Sequence, residues 1–148
     1  LFNKYFMDLK VLELAANTEN QKLLKNYDFI LKQKNSFCGD KIEITIKIKN
    51  KKIYKMGYVC ESCIYTQASA SLLSNFLKNK SLNEYQELSQ EIDKYFKKKT
   101  SNLPKKLSYF SSIMNNKNFM RKDCIMLPFI TLNKMLKNCI KDYEQRKF

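Results

Sequence analysis

Glycine and proline are scarce, with two of each in 148 residues. A β-sandwich needs many tight turns, which those residues supply, so a chain dominated by helices is expected. Long apolar runs are also missing. Lys, Asn or Ser interrupts every one, whereas a membrane span needs about 20 consecutive apolar residues. With neither span nor signal peptide in view, the expectation is a cytosolic protein. The first residue is Leu1 rather than Met, which points to a fragment or an unusual start codon, with Met7 as an alternative start. Arginine is rare too. Arg121 and Arg146 are the only two among 28 basic residues.

That last scarcity bears on the charge. The net charge of +14 invites a nucleic-acid reading, but the lysines are spread over the whole length. Phosphate and base recognition leans on the arginine fork. A solvated basic surface, with no dedicated nucleic-acid role, is the better reading. Hydrophobic residues make up 44% and aromatics 13%, too much for a disordered chain. The length suits one domain, residues 1–148, with a real core.

The hydrophobic period divides the chain. Leu9, Leu12, Ala16, Leu23, Leu24 and Tyr27 form a broken helical pattern, read as one or two N-terminal helices. Ile42, Ile44, Ile46 and Ile48 then alternate with polar residues, as in a half-buried antiparallel strand. Asn50-Lys51 is a hairpin turn, and Tyr54, Met56 and Tyr58 alternate on the return strand. Helical spacing resumes after Cys63 with Ala68, Leu72, Leu73, Phe76 and Leu77. Ser81-x-x-Glu84 is a capping box opening a helix with Leu82, Tyr85, Leu88, Ile92 and Phe96 inward. Lys97-Lys98-Lys99 closes that helix favourably for its dipole. Asn102 and Pro104 start another, with Leu103, Leu107, Phe110 and Met114 inward. A last helix carries Ile125, Phe129, Leu132, Leu136, Cys139 and Tyr143. The expected class is α+β: a small antiparallel sheet of two or three strands with several helices packed on it.

Five cysteines are an odd number and too sparse for a disulfide scaffold. In a reducing cytosol, cysteines beyond packing are metal ligands or reactive thiols. Cys38 lies in the turn Asn35-Ser36-Phe37-Cys38-Gly39-Asp40, where Gly39 lets a thiolate and a carboxylate face one point. Cys63 opens the Ala/Ser helix, and Cys124 precedes Pro128 near another helix start. Helix N-termini stabilise thiolates. Cys139 falls in an apolar stripe and reads as core packing. Cys60-Glu61-Ser62-Cys63 stays open: half a zinc knuckle, a redox dithiol, or one ligand with a bystander. A thioredoxin-like protein needs a βαβ context and a zinc ribbon a second pair, and neither is present. The small residues Ala68-Ser69-Ala70-Ser71 belong to a helix that sits very close to a neighbour. These spacings alone leave a metal site and a set of buried thiols both standing.

Cys38-Gly39-Asp40, Cys63 with Ala68-Ser69-Ala70-Ser71, and Arg121-x-x-Cys124-x-x-Leu127-Pro128-Phe129 together resemble the U-type iron–sulfur cluster assembly proteins (IscU/SufU and the N-terminal domain of NifU). The resemblance runs from about Asn35 to Leu136. It implies Cys38, Asp40, Cys63 and Cys124 as ligands converging at an exposed edge, with Cys63 and Cys124 as candidate sulfur acceptors. It also implies a cysteine desulfurase as sulfur donor, apo iron–sulfur proteins as recipients, and a transient [2Fe-2S] cluster, iron or zinc as cargo. A scaffold of this kind is not an enzyme. The alternative within the family is a zinc-dependent sulfur relay that activates the desulfurase. Departures are Ser36, and Cys60 and Ser62 where the family has glycine. Histidine is absent, although the IscU branch places one before its last cysteine. Arg121 at that place resembles the SufU branch. The chaperone-binding Leu-Pro-Pro-Val-Lys motif is missing too; Leu103-Pro104-Lys105-Lys106 stands elsewhere in the chain. Cys60 is carried as an extra candidate ligand or relay thiol, against packing beneath the hairpin beside Tyr58.

Overall fold

The computed structural model describes residues 8–98 and 102–146, with side chains through Lys141 in the last helix. Leu1, Met7 and Lys99 lie outside the described residues, as do the side chains of Tyr143 and Arg146. Helix α1 (Leu9–Ala16) precedes strands β1 (Phe29–Lys34), β2 (Lys41–Lys49) and β3 (Lys52–Glu61). Helix α2 (Ile64–Phe76), the short strand β4 (Lys80–Ser81) and helix α3 (Leu82–Lys98) follow. Two 3₁₀ helices, Lys105–Phe110 and Asn116–Arg121, lead into the long helix α4 (Lys122–Arg146). The expected α+β architecture is present, with four antiparallel strands in the order β1-β2-β3-β4.

The extra strands correct the reading of the N-terminal third. The helix there ends at Ala16, and Leu23, Leu24 and Tyr27 belong to no helix. Residues 29–34 extend because each finds a partner on β2, from Phe29 opposite Ile46 to Lys34 opposite Lys41. Phe29, Leu31 and Gln33 are half-buried while Ile30, Lys32 and Lys34 face solvent, a period of two that the preceding leucines obscured. Within α1 the inward residues are Val11 and Ala15, and Leu9 is exposed.

Ile42, Ile44 and Ile46 are all fully or almost fully buried, as their alternation predicts. Asn50 and Lys51 both have positive φ, 53° and 61°, as a two-residue hairpin turn of the strand-matching hand requires. On β3 the alternation slips. Lys47 faces Lys55 and Ile48 faces Ile53, so Tyr54 is the unpaired residue of a bulge. The bulge turns Tyr54 out to solvent and puts Ile53 in the core beside Met56 and Tyr58. The segment before β1 crosses β3: Tyr58 N–H donates to the Asn20 carbonyl, and Leu24 N–H donates to Thr45 Oγ1. Gly57 is required there, since a β-carbon would overlap the Lys22 carbonyl oxygen.

The capping box is formed in both directions, Ser81 N–H to Glu84 Oε2 at 2.7 Å and Glu84 N–H to Ser81 Oγ at 3.1 Å. Tyr85, Leu88 and Ile92 then face the core, joined by Tyr95. Helix α2 is the centre of the packing. It lies against α1, α4 and β3, and Ala68, Ser69, Ala70 and Ser71 are all buried. Small side chains allow that close approach from several sides. In α4 the expected stripe Ile125, Phe129, Leu132, Leu136 and Cys139 is buried, widened by Leu127, Thr131 and Met135.

Candidate metal centre

The turn before β2 is built by Asn35. Its side-chain oxygen accepts from Phe37 N–H at 2.8 Å, and its carbonyl accepts from Gly39 N–H at 2.9 Å. Its own N–H donates to the Asp40 carbonyl at 2.8 Å. Gly39 has a φ of +76°, the left-handed conformation in which side chains cost most. The result lifts Cys38 to the surface and turns Asp40 inward. Asn35 Nδ2 also donates to the Asp123 carbonyl at 3.1 Å, fastening this turn to the start of α4, where Cys124 sits.

Asp40 takes over a task that Cys63 does not perform. Cys63 is the N-cap residue of α2 but makes no side-chain cap hydrogen bond. Asp40 Oδ1 instead accepts from Cys63 N–H at 3.3 Å, and Oδ2 accepts from Thr66 Oγ1 at 2.9 Å. Burial pushes the Asp40 carboxyl up. Hydrogen bonds from Thr66, from the Cys63 and Cys38 thiols and from the Cys63 amide outweigh it and hold the group below the usual carboxylate range. Asp40 is thus a buried, charged oxygen donor at a helix N-terminus.

Three of the four expected donors meet. Cys38 Sγ, an Asp40 carboxylate oxygen and Cys124 Sγ all lie within 4.8 Å of one another. The two sulfurs are 3.8 Å apart. Two thiolates on one tetrahedral ion with arms of ~2.3 Å would be separated by about 3.8 Å, so this edge fits a shared metal. The Cys63 sulfur does not join the trio at that distance; it stands beside it, 3.9 Å from Thr66 Oγ1. Cys124 is buried, and burial together with the Cys63 and Cys38 thiols drives its proton affinity well up. The expected thiolate stabilisation by the helix terminus is overridden there. A cation bound between the sulfurs would reverse that balance.

Cys60 is not a member of the trio. It pairs with Ile42 on β2, and residues directly opposite share a face, so its thiol packs on the core side with Tyr58. Burial first, then the charges of Asp40 and Cys63, pushes that thiol up to about 12.

The position of Cys124 depends on a defect in α4. Pro128 lies inside the helix and has no N–H to offer the Cys124 carbonyl. Two hydroxyls of α2 serve this stretch: Thr66 Oγ1 donates to the Cys124 carbonyl at 3.0 Å and Ser69 Oγ to the Ile125 carbonyl at 2.6 Å. Thr131 Oγ1 adds a bond to the Leu127 carbonyl at 2.8 Å. Helices α2 and α4 are thereby joined through polar atoms directly behind the trio. The sequence reading missed Thr66 and named Asn35 and Ser69 only as turn and small-helix residues, without these bonds. Pro128 was the available signal for Thr66, since a proline within a helix obliges another group to serve the orphaned carbonyl, here that of Cys124. Around the rim, Phe37 and Met120 are 87% and 91% exposed, and the Arg121 guanidinium lies over the Tyr65 ring at 5.5 Å.

Soft thiols with one hard, exchangeable oxygen suit iron, zinc or an iron–sulfur cluster, so the residues present fit such cargo. No helix among the described residues is long and apolar enough to cross a membrane. A search of curated proteins finds no significant match. Among solved structures, the N-terminal part of a nitrogen-fixing NifU-like protein from Brucella abortus superposes with a TM-score of 0.72 at 18% identity. That match covers 86% of this chain and 90% of the other. A candidate iron–sulfur cluster assembly scaffold protein for the SUF system from Fervidobacterium islandicum AW-1 gives 0.72 at 20% identity, covering 86% and 93%. Both likenesses establish the fold. The model of the NifU-like N-terminal domain matches residues 7–148, and on that match the chain belongs to the NifU-like N-terminal domain family.

Proposed function

We propose that this protein is an iron–sulfur cluster assembly scaffold of the cytoplasm. It holds a nascent cluster, iron or zinc on Cys38, Asp40, Cys63 and Cys124, receives sulfur from a cysteine desulfurase, and passes its cargo to apo iron–sulfur proteins. The observation that carries this reading is the meeting of Cys38, Asp40 and Cys124 at a surface turn in a NifU-like domain. The SUF-system description of the Fervidobacterium neighbour supports it. Cys63 needs only a modest shift of its side chain to complete a set of three sulfurs and one oxygen.

The burial gradient gives the site a direction. Cys38 is exposed, Cys63 half-buried and Cys124 buried, so sulfur enters over Cys38 and is retained deeper, at Cys63 or Cys124. In the transfer, an acceptor thiolate attacks the outer sulfur of a donor persulfide. The new S–S bond makes a persulfide on the acceptor, and the donor leaves as a thiolate. Asp40 contributes an oxygen ligand that can be exchanged without breaking a thiolate bond, which suits cargo that must depart. The core-side placement of Cys60 weighs against a redox module built on Cys60 and Cys63.

Anaerobic incubation of the purified protein with ferrous iron, cysteine, a thiol reductant and a desulfurase tests the proposal. The expected result is a visible absorbance that transfers to an apo-acceptor. A stable colourless zinc form that accelerates the desulfurase, without chromophore, would assign the relay role instead.

A further inference from the structure

Thr66 is fully buried in the first turn of α2 and belongs to no ligand set. Its hydroxyl lies 2.9 Å from Asp40 Oδ2 and 3.0 Å from the Cys124 carbonyl oxygen. A hydroxyl has one proton to donate, so two acceptors compete for it. They differ in what else serves them. Pro128 has deprived the Cys124 carbonyl of its helical donor, whereas Asp40, a buried residue, is also served by Cys63 N–H and by the Cys63 and Cys38 thiols. The two acceptors belong to two members of the trio.

We infer that Thr66 is a positioning residue that ties the Asp40 carboxylate to the turn of α4 carrying Cys124, its single proton passing to the Cys124 carbonyl when Asp40 is drawn onto a metal ion. This rests on the proposed role of Asp40 as a ligand. With Asp40 unengaged, Thr66 and Cys63 N–H hold the carboxylate in one rotamer facing the sulfurs. When a cation takes charge density from the carboxylate, the carbonyl becomes the better acceptor. The hydroxyl then turns towards α4 and fastens the Cys124 turn as the ligand closes. Groups behind a ligand that fix its orientation govern affinity about 10- to 100-fold.

Zinc alone, titrated against a chromophoric chelator, is the probe. Thr66→Val keeps the shape and removes the hydroxyl, and should weaken zinc binding about 10- to 100-fold; Thr66→Ser should restore it. In an Asp40→Ala background, Thr66→Val should cost clearly less than in the wild type, because only the bond to the Cys124 carbonyl is then left to lose. Ser74→Ala, which removes a buried α2 hydroxyl about two turns further along the helix, should lower the melting temperature and leave zinc affinity unchanged. A second readout needs no metal. Amide exchange at Cys63, whose N–H binds Asp40 Oδ1, should rise about tenfold in Thr66→Val and return in Thr66→Ser. Thr66→Ala serves in both arms if the valine variant does not fold. An equal affinity loss with and without Asp40, or unchanged exchange at Cys63, overturns the inference. If the wild type takes up no zinc, the proposed ligand role fails on that result, and the exchange at Cys63 alone decides for or against Thr66.

Discussion

Cys60 and Cys63 are three residues apart, yet their thiols meet different surroundings: one the core side of β3, the other the edge of the donor trio. Reconstitution should separate them. Cys63→Ala is expected to abolish metal retention, whereas Cys60→Gly retains it; equal loss in both variants would make the pair a chelating dithiol and break the four-ligand set. Cys139 is fully buried on α4, and Cys139→Ala should keep metal content and sulfur transfer while losing about 1 kcal/mol to the small cavity. Metal loss at unchanged thermal stability would show that it does more than pack. Residue type and place in the chain marked Cys38, Cys63 and Cys124 as candidates with Asp40 beside them; the four-ligand set came from the family resemblance, and the structure brings Cys38, Asp40 and Cys124 together. The roles of Thr66 and Asn35 were not legible, because a hydroxyl or amide reveals its role only through the carbonyl it serves, and that carbonyl lies 58 and 88 residues away respectively.

Elements were legible where local chemistry and tertiary packing agree. The capping box of α3 is one such place, and it yields a pH dependence. The Ser81 amide first, then the Ser81 hydroxyl and Lys80 and Lys52, hold the exposed Glu84 carboxyl below its ordinary value of 4.5. A group depressed on folding contributes stability above its unfolded pKa and loses it as pH falls through the folded one. The melting temperature of the wild type should therefore exceed that of Glu84→Gln at neutral pH, with the gap closing below pH 4.5. A gap constant down to acid pH would remove the charge from the explanation. Elements were illegible where the two conflict. Leu23, Leu24 and Tyr27 continue a helical spacing, but the backbone there is occupied by Thr45 and the edge of β3. The β1 strand is stabilised by pairing with β2, which no local signal announces. The slip at Tyr54 has the same origin, since a bulge changes the facing of a strand without changing its composition.

For the molecule as a whole, charge is the property read most directly from composition. A net +14 should make association with an acidic partner protein weaken steeply with ionic strength, as exposed pairs are screened over roughly 8 Å at physiological salt. Binding measured across a salt series checks this. Retention of one DNA or RNA sequence over another at physiological salt would overturn the reading of a merely solvated basic surface.

The donor trio also has a timing. Its members come from the turn before β2 and from α4, with Cys63 between them, and Cys124 follows Cys63 by 124 − 63 = 61 residues. A zinc knuckle draws its ligands from a few neighbouring residues and can close while the chain is still being made. This site cannot. At about 5–20 residues per second, a growing chain displays Cys38, Cys60 and Cys63 for several seconds before Cys124 exists. Throughout that interval the nearest pair of thiols along the chain is Cys60 and Cys63, of which only Cys63 stands at the edge of the trio once the chain is folded. On the proposed reading, packing the Cys60 thiol against the core leaves metal uptake to donors that only the finished chain brings together.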